Sequence, residues 1–259
     1  MARSRGDTVA PLGIVPSGID VLDRIVAILQ AFRTGDAALT LTEISNRTGL
    51  YKSTVLRLNA SLVSHHLLSK TEDGRYQLGV LTYSLGQRYQ SNLDISDVLL
   101  PLMRSLNEQL GETVAFHIRD GDVRVCLLRI NSRFSVHAEV KLGDIQQLDR
   151  GAGGRILMAF GHAEGDLYDG IRDDFSYLSI GERDAETAGI SSPVLGPDQK
   201  LIGAIGIVTP VTRMTSDQIG PFASAVLDTA ARATAQLGGD NSGILAALDR
   251  RREDKQERR

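Results

Sequence analysis

Thr40-Leu41-Thr42-Glu43-Ile44-Ser45-Asn46-Arg47-Thr48-Gly49-Leu50-Tyr51-Lys52-Ser53-Thr54-Val55-Leu56-Arg57-Leu58 is the stretch on which the reading of this chain turns. Thr40 and Glu43 have capping-box spacing, so a helix is predicted to begin there, and Gly49 supplies its stop. The next helix is predicted from about Tyr51 to about Ser64. Two short helices held at an angle by a glycine turn are a standard device for placing a helix in the DNA major groove. Downstream, Leu68–Thr71 and Arg75–Leu78 flank Glu72-Asp73-Gly74 and read as two short strands around a turn. Upstream, Ile19, Leu22, Ile25, Val26, Leu29 and Phe32 follow a helical period closed by Gly35. The whole reads as a winged helix-turn-helix.

On the predicted third helix, Val55, Leu58 and Leu62 share the inward side. Stepping about 100° per residue, the outward side carries Ser53, Leu56, Arg57, Ala60 and Ser61, with Lys52 at its edge. Arg57 is the candidate for two hydrogen bonds to a guanine edge, and Leu56 for contact with a thymine methyl. Lys52, Ser53 and Thr54 stand at the helix start, where backbone N–H groups and a positive helix end suit a phosphate. Thr42 and Tyr51 complete the DNA-contacting set on the helices, and Arg75 and Tyr76 extend it to the wing. The bland alternative is a winged helix used only as a scaffold or protein-contact module.

Composition sets the bounds. The chain has 259 residues, room for two domains, with 42% hydrophobic and 24% charged residues, as in an ordinary soluble globular protein. No long apolar run is present to span a membrane, and the first residues do not read as a secretory signal. One cysteine, Cys126, excludes a disulfide framework and a Cys-rich metal site, and fits a reducing cytoplasm. The net charge of −3 argues against non-specific coating of nucleic acid. From Ser17 to Gly79, seven basic residues face six acidic ones, about +1, so geometry rather than bulk charge carries the DNA-binding reading.

Organisation follows as residues 1–16, a disordered arm; 17–79, the winged helix; 80–92, a linker helix; 93–238, a second domain; and 239–259, a charged tail whose last part, Arg250 to Arg259, reads as a solvated end. In the second domain, Asp97–Leu110 reads as a helix. Thr113–Ile118, Asp122–Ile130 and Phe134–Val140 read as strands, with a turn at Asp120-Gly121. Gly151–Phe160 returns to helix. Ile190–Leu195 and Leu201–Thr209 form a hairpin, and Ser216–Leu237 is a long amphipathic helix. The fold class is therefore α+β: an antiparallel sheet flanked by helices.

Gly151-Ala152-Gly153-Gly154 opens a helix, so it is either a cradle for a carboxylate or a turn in which glycine permits positive φ. The adjacent His65 and His66 cannot share a helix face as metal ligands. Cys126 reads as buried filler, and His117 and His137 as core or rim residues near a pocket. No paired nucleophile and base, carboxylate pair or phosphate loop stands out. No catalytic residue, metal or cofactor is expected.

In the order and spacing of these segments the chain resembles the IclR family of bacterial transcription regulators, from about Ser17 to Gln236. The resemblance rests on Leu41–Ile44 with Thr48–Leu58, the wing Gly74–Gly79, Gly151–Arg155 and Gly189–Val194. It implies a homodimer or tetramer, binding to double-stranded operator DNA, and a GAF-like domain that binds a small organic acid. It favours the cradle reading of Gly151, Ala152, Gly153 and Gly154, and completes the pocket with Ser179, Gly189, Ser191, Gly206 and Val208. Relatives often carry an acidic residue, a cysteine and serines where this chain has Ser179, Gly189, Gly206 and Val208. Fewer hydrogen bonds and more room are thus expected, and with them a bulkier or aromatic acid. Residues 161–166 look like a shortcut through a segment that is longer in relatives. The expected protein is a ligand-responsive regulator; the alternatives are an enzyme acting on a small acid, or an interaction module.

Overall fold

The computed structural model describes residues 18–33, 35–91 and 95–257. The arm expected over residues 1–16 lies outside them. The chain divides into two compact units, the first ending at Leu93 and the second beginning at Asp94.

The first unit comprises α1 (Asp20–Gln30), α2 (Leu41–Thr48), α3 (Lys52–Ser64), β1 (Leu68–Lys70), β2 (Tyr76–Leu78) and α4 (Val80–Ser91). The capping box forms as read: Glu43 N–H donates to Thr40 Oγ1 at 3.2 Å, and Thr40 N–H donates to Glu43 Oε2 at 2.7 Å. Gly49 ends α2 at φ 72°, a conformation that strains any residue with a Cβ. Ser45 Oγ donates to Leu50 O at 2.7 Å across the turn into α3. Ile28, Leu39, Ile44, Val55, Leu58, Leu62, Leu68 and Tyr76 make one buried cluster beneath the three helices. Leu39 and Tyr76 exchange backbone hydrogen bonds of 2.7 and 2.8 Å, which ties the antiparallel β1–β2 wing to the segment before α2.

In the second unit, α5 (Ile95–Leu110) precedes β3 (Thr113–Asp120), β4 (Val123–Ile130) and β5 (Ile145–Gln147). Then come α6 (Gly151–Ala159), α7 (Asp166–Asp174) and β6 (Tyr177–Ile180). β7 (Thr187–Leu195), β8 (Leu201–Pro210), α8 (Ser216–Gln236) and α9 (Ser242–Glu257) complete it. The sheet is antiparallel throughout, in the order β5-β4-β3-β8-β7-β6. Register places Ala115 opposite Gly206, Ser191 opposite Gly206, and Gly189 opposite both Val208 and Ser179. Because strand side chains alternate, these residues and His117 share one face, and α6 covers it. The other face, with Val114, Phe116, Ile190, Ile205 and Ile207 buried, is left to α5 and α8.

Three expectations need correction. Phe134–Val140 is not a strand: its carbonyls are taken by side chains rather than by a ladder. Arg213 Nη1 donates to Val136 O at 2.9 Å, Thr113 Oγ1 to Ala138 O at 3.4 Å, and Arg129 to Val140 O. The strand that pairs with β4 is β5 instead. The tail, its last part read as a solvated end, forms α9, which packs on α8 with Ile244, Ala247 and Leu248 buried at i, i+3, i+4 spacing. The β3–β4 turn is also displaced by one residue, to Gly121-Asp122 with Gly121 at φ 57°.

Candidate functional site

Two surfaces gather the candidate residues, one in each unit. On α3, the buried Val55, Leu58 and Leu62 leave Lys52, Ser53, Leu56, Arg57, Ala60 and Ser61 exposed. Leu56 is 52% exposed and Tyr51, at the N-cap, 84%, which is unusual for side chains of that size without a partner surface. Thr54 is half-buried and Thr42 is exposed on the first turn of α2. The N–H groups of Thr54 and Val55 bond to Tyr51 O at 2.9 and 3.0 Å, so those of Lys52 and Ser53 lie at the open helix end. Ser53, Leu56, Arg57, Ala60, Val63 and Lys70 border a groove of about 500 Å³ with Tyr76 at its floor.

Arg57 forms no ion pair among the described residues, whereas Arg75 on the wing pairs with Asp73 at 2.7 Å. Tyr76 departs from expectation. It is 5% exposed, packed into the core of the first unit, and so is not placed to reach a DNA backbone. Arg75, next to the inward Tyr76, faces out, and Lys70, paired with Tyr76 at the end of β1, is exposed as well, so these two are the long donors left at the surface.

In the second unit, a cavity of about 30 Å³ lies between α6 and the sheet. Gly151, Ala152, Gly153, Ser179, Gly189, Ser191, Gly206 and Val208 line it, as do His117, Arg124 and Arg183. Gly154 does not. A Cβ there would sit 2.2 Å from Leu148 O, so this glycine allows α6 to approach the preceding backbone. Gly189 and Gly206 do not add room either. A Cβ on Gly206 would lie 2.2 Å from Ser191 Oγ, and one on Gly189 would lie 2.8 Å from Ile207 O. The space that these glycines leave is already filled by neighbouring strands.

The expectation of fewer hydrogen-bonding groups fails as well, because β3 and β4 send in His117 and Arg124. Arg124 is 4% exposed, and its Nη2 donates to Gln146 Oε1 at 2.6 Å. Burial, with the nearby charge of Arg183, lowers its pKa to about 10, so it remains a cation at neutral pH. His117 is buried; desolvation first, then the Arg124 and Arg183 charges, hold its pKa well below 6.5 and keep it neutral. The N-cap of α6, Arg150, offers no side-chain cap, and Gly151 N–H donates to Glu182 Oε2 at 3.3 Å from the rim. A buried cation, a neutral imidazole, two serines and a helix start make a site for an anion.

The other candidates lie apart from this chemistry. Cys126 is buried, and desolvation pushes its thiol up to about 12, so it is not a nucleophile at neutral pH. His137 is exposed, its Nδ1 3.1 Å from Phe134 O. His65 and His66 are exposed at the end of α3. Sequence reasoning missed Arg124 and Arg183. The first had a signal: an arginine between Val123 and Val125 in an apolar strand.

A winged helix with an unpartnered outer face, in one chain with an α+β unit whose pocket is lined by cations, defines a DNA-binding transcriptional regulator. The comparisons agree. A family model described as "IclR helix-turn-helix domain" matches residues 21–72, and "Bacterial transcriptional regulator IclR C-terminal" matches residues 87–167. The chain belongs to the IclR family of transcriptional regulators. It is 25% identical over 227 residues to the HTH-type transcriptional regulator KipR of Bacillus subtilis (strain 168), covering 78% of this chain and 90% of that one. It is 25% identical over 263 residues to the HTH-type transcriptional repressor AllR of Escherichia coli (strain K12), covering 91% and 97%. The fold matches that of an IclR homologue from Microbacterium hydrocarbonoxydans complexed with 4-hydroxybenzoate. That match has a TM-score of 0.72 at 20% identity, over 84% of this chain and 98% of that one. These relatives are regulators, not enzymes. No helix among the described residues is long and apolar enough to cross a membrane.

Proposed function

We propose that this regulator reads operator DNA with the outer face of α3 and changes its operator affinity when a small organic acid enters the pocket beneath α6. The observation that carries this reading is the pairing, in one chain, of an exposed Leu56–Arg57 face with a buried, cation-lined cavity. Arg57 reads a base edge, Leu56 touches a methyl group, and Thr42, Tyr51, Lys52, Ser53 and Thr54 hold phosphates. On the wing, Arg75 and Lys70 take the role first given to Tyr76. Two copies, as a dimer or dimer of dimers, place two α3 helices on successive turns of a palindrome-like site. The exposed Ile19, Val21 and Leu22 of α1, and Val80, Tyr83 and Leu85 of α4, support association through the first unit.

The 4-hydroxybenzoate in the Microbacterium homologue supports an organic acid as the effector class. The ligand acts by the difference in its affinity for the two regulator states. The test is a thermal-shift screen of aliphatic and aromatic acids against the full chain, repeated with DNA from upstream of its own gene. An acid that stabilises the protein and shifts the DNA titration supports the reading; upstream DNA that never binds at low salt rejects it.

A further inference from the structure

Arg124 stands out among the buried charges of the second unit because no carboxylate pairs with it directly, although the charges of Asp144 and Glu182 bear on it. Its neighbour Gln146 is a neutral acceptor, and its Nε has no partner. Among the described residues it forms no ion pair. Asp144 is engaged by Gln146 Nε2 at 2.9 Å, and Glu182 by Arg155 at 3.3 Å, Tyr177 at 2.7 Å and Gly151 N–H at 3.3 Å. Arg213 in the same unit shows the usual structural solution: it grips the buried Glu112 with two bonds of 2.6 and 2.7 Å. A buried cation left without such a partner destabilises the fold that holds it.

The guanidinium also has a direction. A Cβ built on Gly153 would lie 3.1 Å from Arg124 Nη1 and 3.2 Å from His117 Nδ1, and one built on Gly151 would lie 3.3 Å from Arg124 Nη2. The two glycines therefore clear the space in which the guanidinium and the imidazole reach the first turn of α6. The start of α6, where Glu182 holds only Gly151 N–H from the rim, and a cation thus face one cavity, an arrangement that favours an anion between them.

We propose that Arg124 is the residue that makes this pocket specific for a carboxylate. It takes the acid group on its planar fork, while the N–H groups of Ala152 and Gly153 at the start of α6 and the His117 ring complete the hydrogen bonds. This rests on the reading of the cavity as the effector site, and adds to it the requirement for negative charge and the residue that imposes it. A neutral molecule of the same shape leaves the guanidinium uncompensated and is rejected.

The test uses the full chain and two isosteric probe pairs, benzoate against benzamide and propionate against propionamide. Thermal shift and calorimetric titration are run on wild type, R124M and R124K. At least one acid is expected to stabilise wild type while its amide does not. R124M is expected to keep or raise the ligand-free Tm, since an unpaired charge is gone, and to bind that acid about 10- to 100-fold more weakly. R124K keeps charge without the fork and falls between. G153A is run in parallel, because its added methyl occupies the space beside the guanidinium while the arginine itself stays in place. It too is expected to lose acid binding. Equal acid affinity in wild type and R124M (or G153A) overturns the assignment of Arg124 while leaving the effector reading intact. A ligand-free Tm for R124M several degrees below that of wild type overturns it as well, by making the arginine structural. If no acid stabilises wild type, the effector reading falls, and this inference with it.

Discussion

The outer face of α3 and the pocket under α6 both offer an arginine to a partner, under opposite conditions of solvent. Arg57 is exposed, so carrying it costs the fold little, and an unbound Arg57 looks like any surface arginine. Arg124 is buried without a direct ion pair, so the unliganded fold bears a cost that a bound anion would remove. The exposed residue acquires meaning from its helix and from the apolar Leu56 beside it. The buried one acquires meaning from what its surroundings lack. On the proposal made above, DNA reading is a property of a surface pattern, and effector reading a property of an electrostatic imbalance.

That contrast can be broken or sharpened by mutation. The largest effect is expected at Tyr76, which was assigned to the DNA face from sequence and lies in the core. Tyr76→Ala should destabilise the first unit by about 3–5 kcal/mol in a denaturant titration. Tyr76→Phe should keep both stability and operator affinity, and a folded Tyr76→Phe that binds DNA poorly would return the residue to the contact face. In the second unit, Gly154→Ala forces a methyl against Leu148 O. About 1–3 kcal/mol of lost stability is expected, read by the same titration. Arg57→Ala should weaken operator binding by about 1–3 kcal/mol and relax preference at one base pair, with Tm and acid binding unchanged. Unaltered affinity in a binding isotherm would move base reading elsewhere on α3.

The smallest expected effect is in pH. His117 has a folded pKa below its unfolded value, so below about 6.5 the unfolded chain binds the proton that the folded chain refuses. Stability of the second unit should fall as pH drops through that value, and His117→Gln should flatten this part of the Tm–pH curve. An unchanged slope in the variant would show that the ring is accessible to protons in the folded protein.

What could be read from sequence, and what could not, divides along the same line. The first unit was open to reading because its signals are local: the Thr40–Glu43 cap, the positive φ at Gly49, and the period of Val55, Leu58 and Leu62. Tyr76 escaped because a three-residue strand has too little alternation to set which side faces inward. In the second unit, Phe134–Val140 carries β-branched and aromatic residues, but whether a strand forms depends on a partner edge, which β5 took. Helix α9 was hidden by its charged end, although Ile244, Ala247 and Leu248 had the right spacing. Glycines 189 and 206 misled most. A missing side chain does not measure space, and the neighbouring strand and Ser191 close in on both positions. Arg124 and His117 reach the start of α6 only through the β3–β4 register and the packing of that helix, which no local pattern encodes.

The central claim is that an anion compensated by Arg124 sets the affinity for DNA. The direct measurement is fluorescence anisotropy of upstream DNA bound by the full chain, with and without the acid that most stabilises wild type. It is made in parallel on wild type and R124M. The account expects the acid to change the wild-type Kd by about fivefold or more, and the Kd of R124M to stay the same with or without it. A wild-type Kd that is identical in the presence and absence of a bound acid would contradict it.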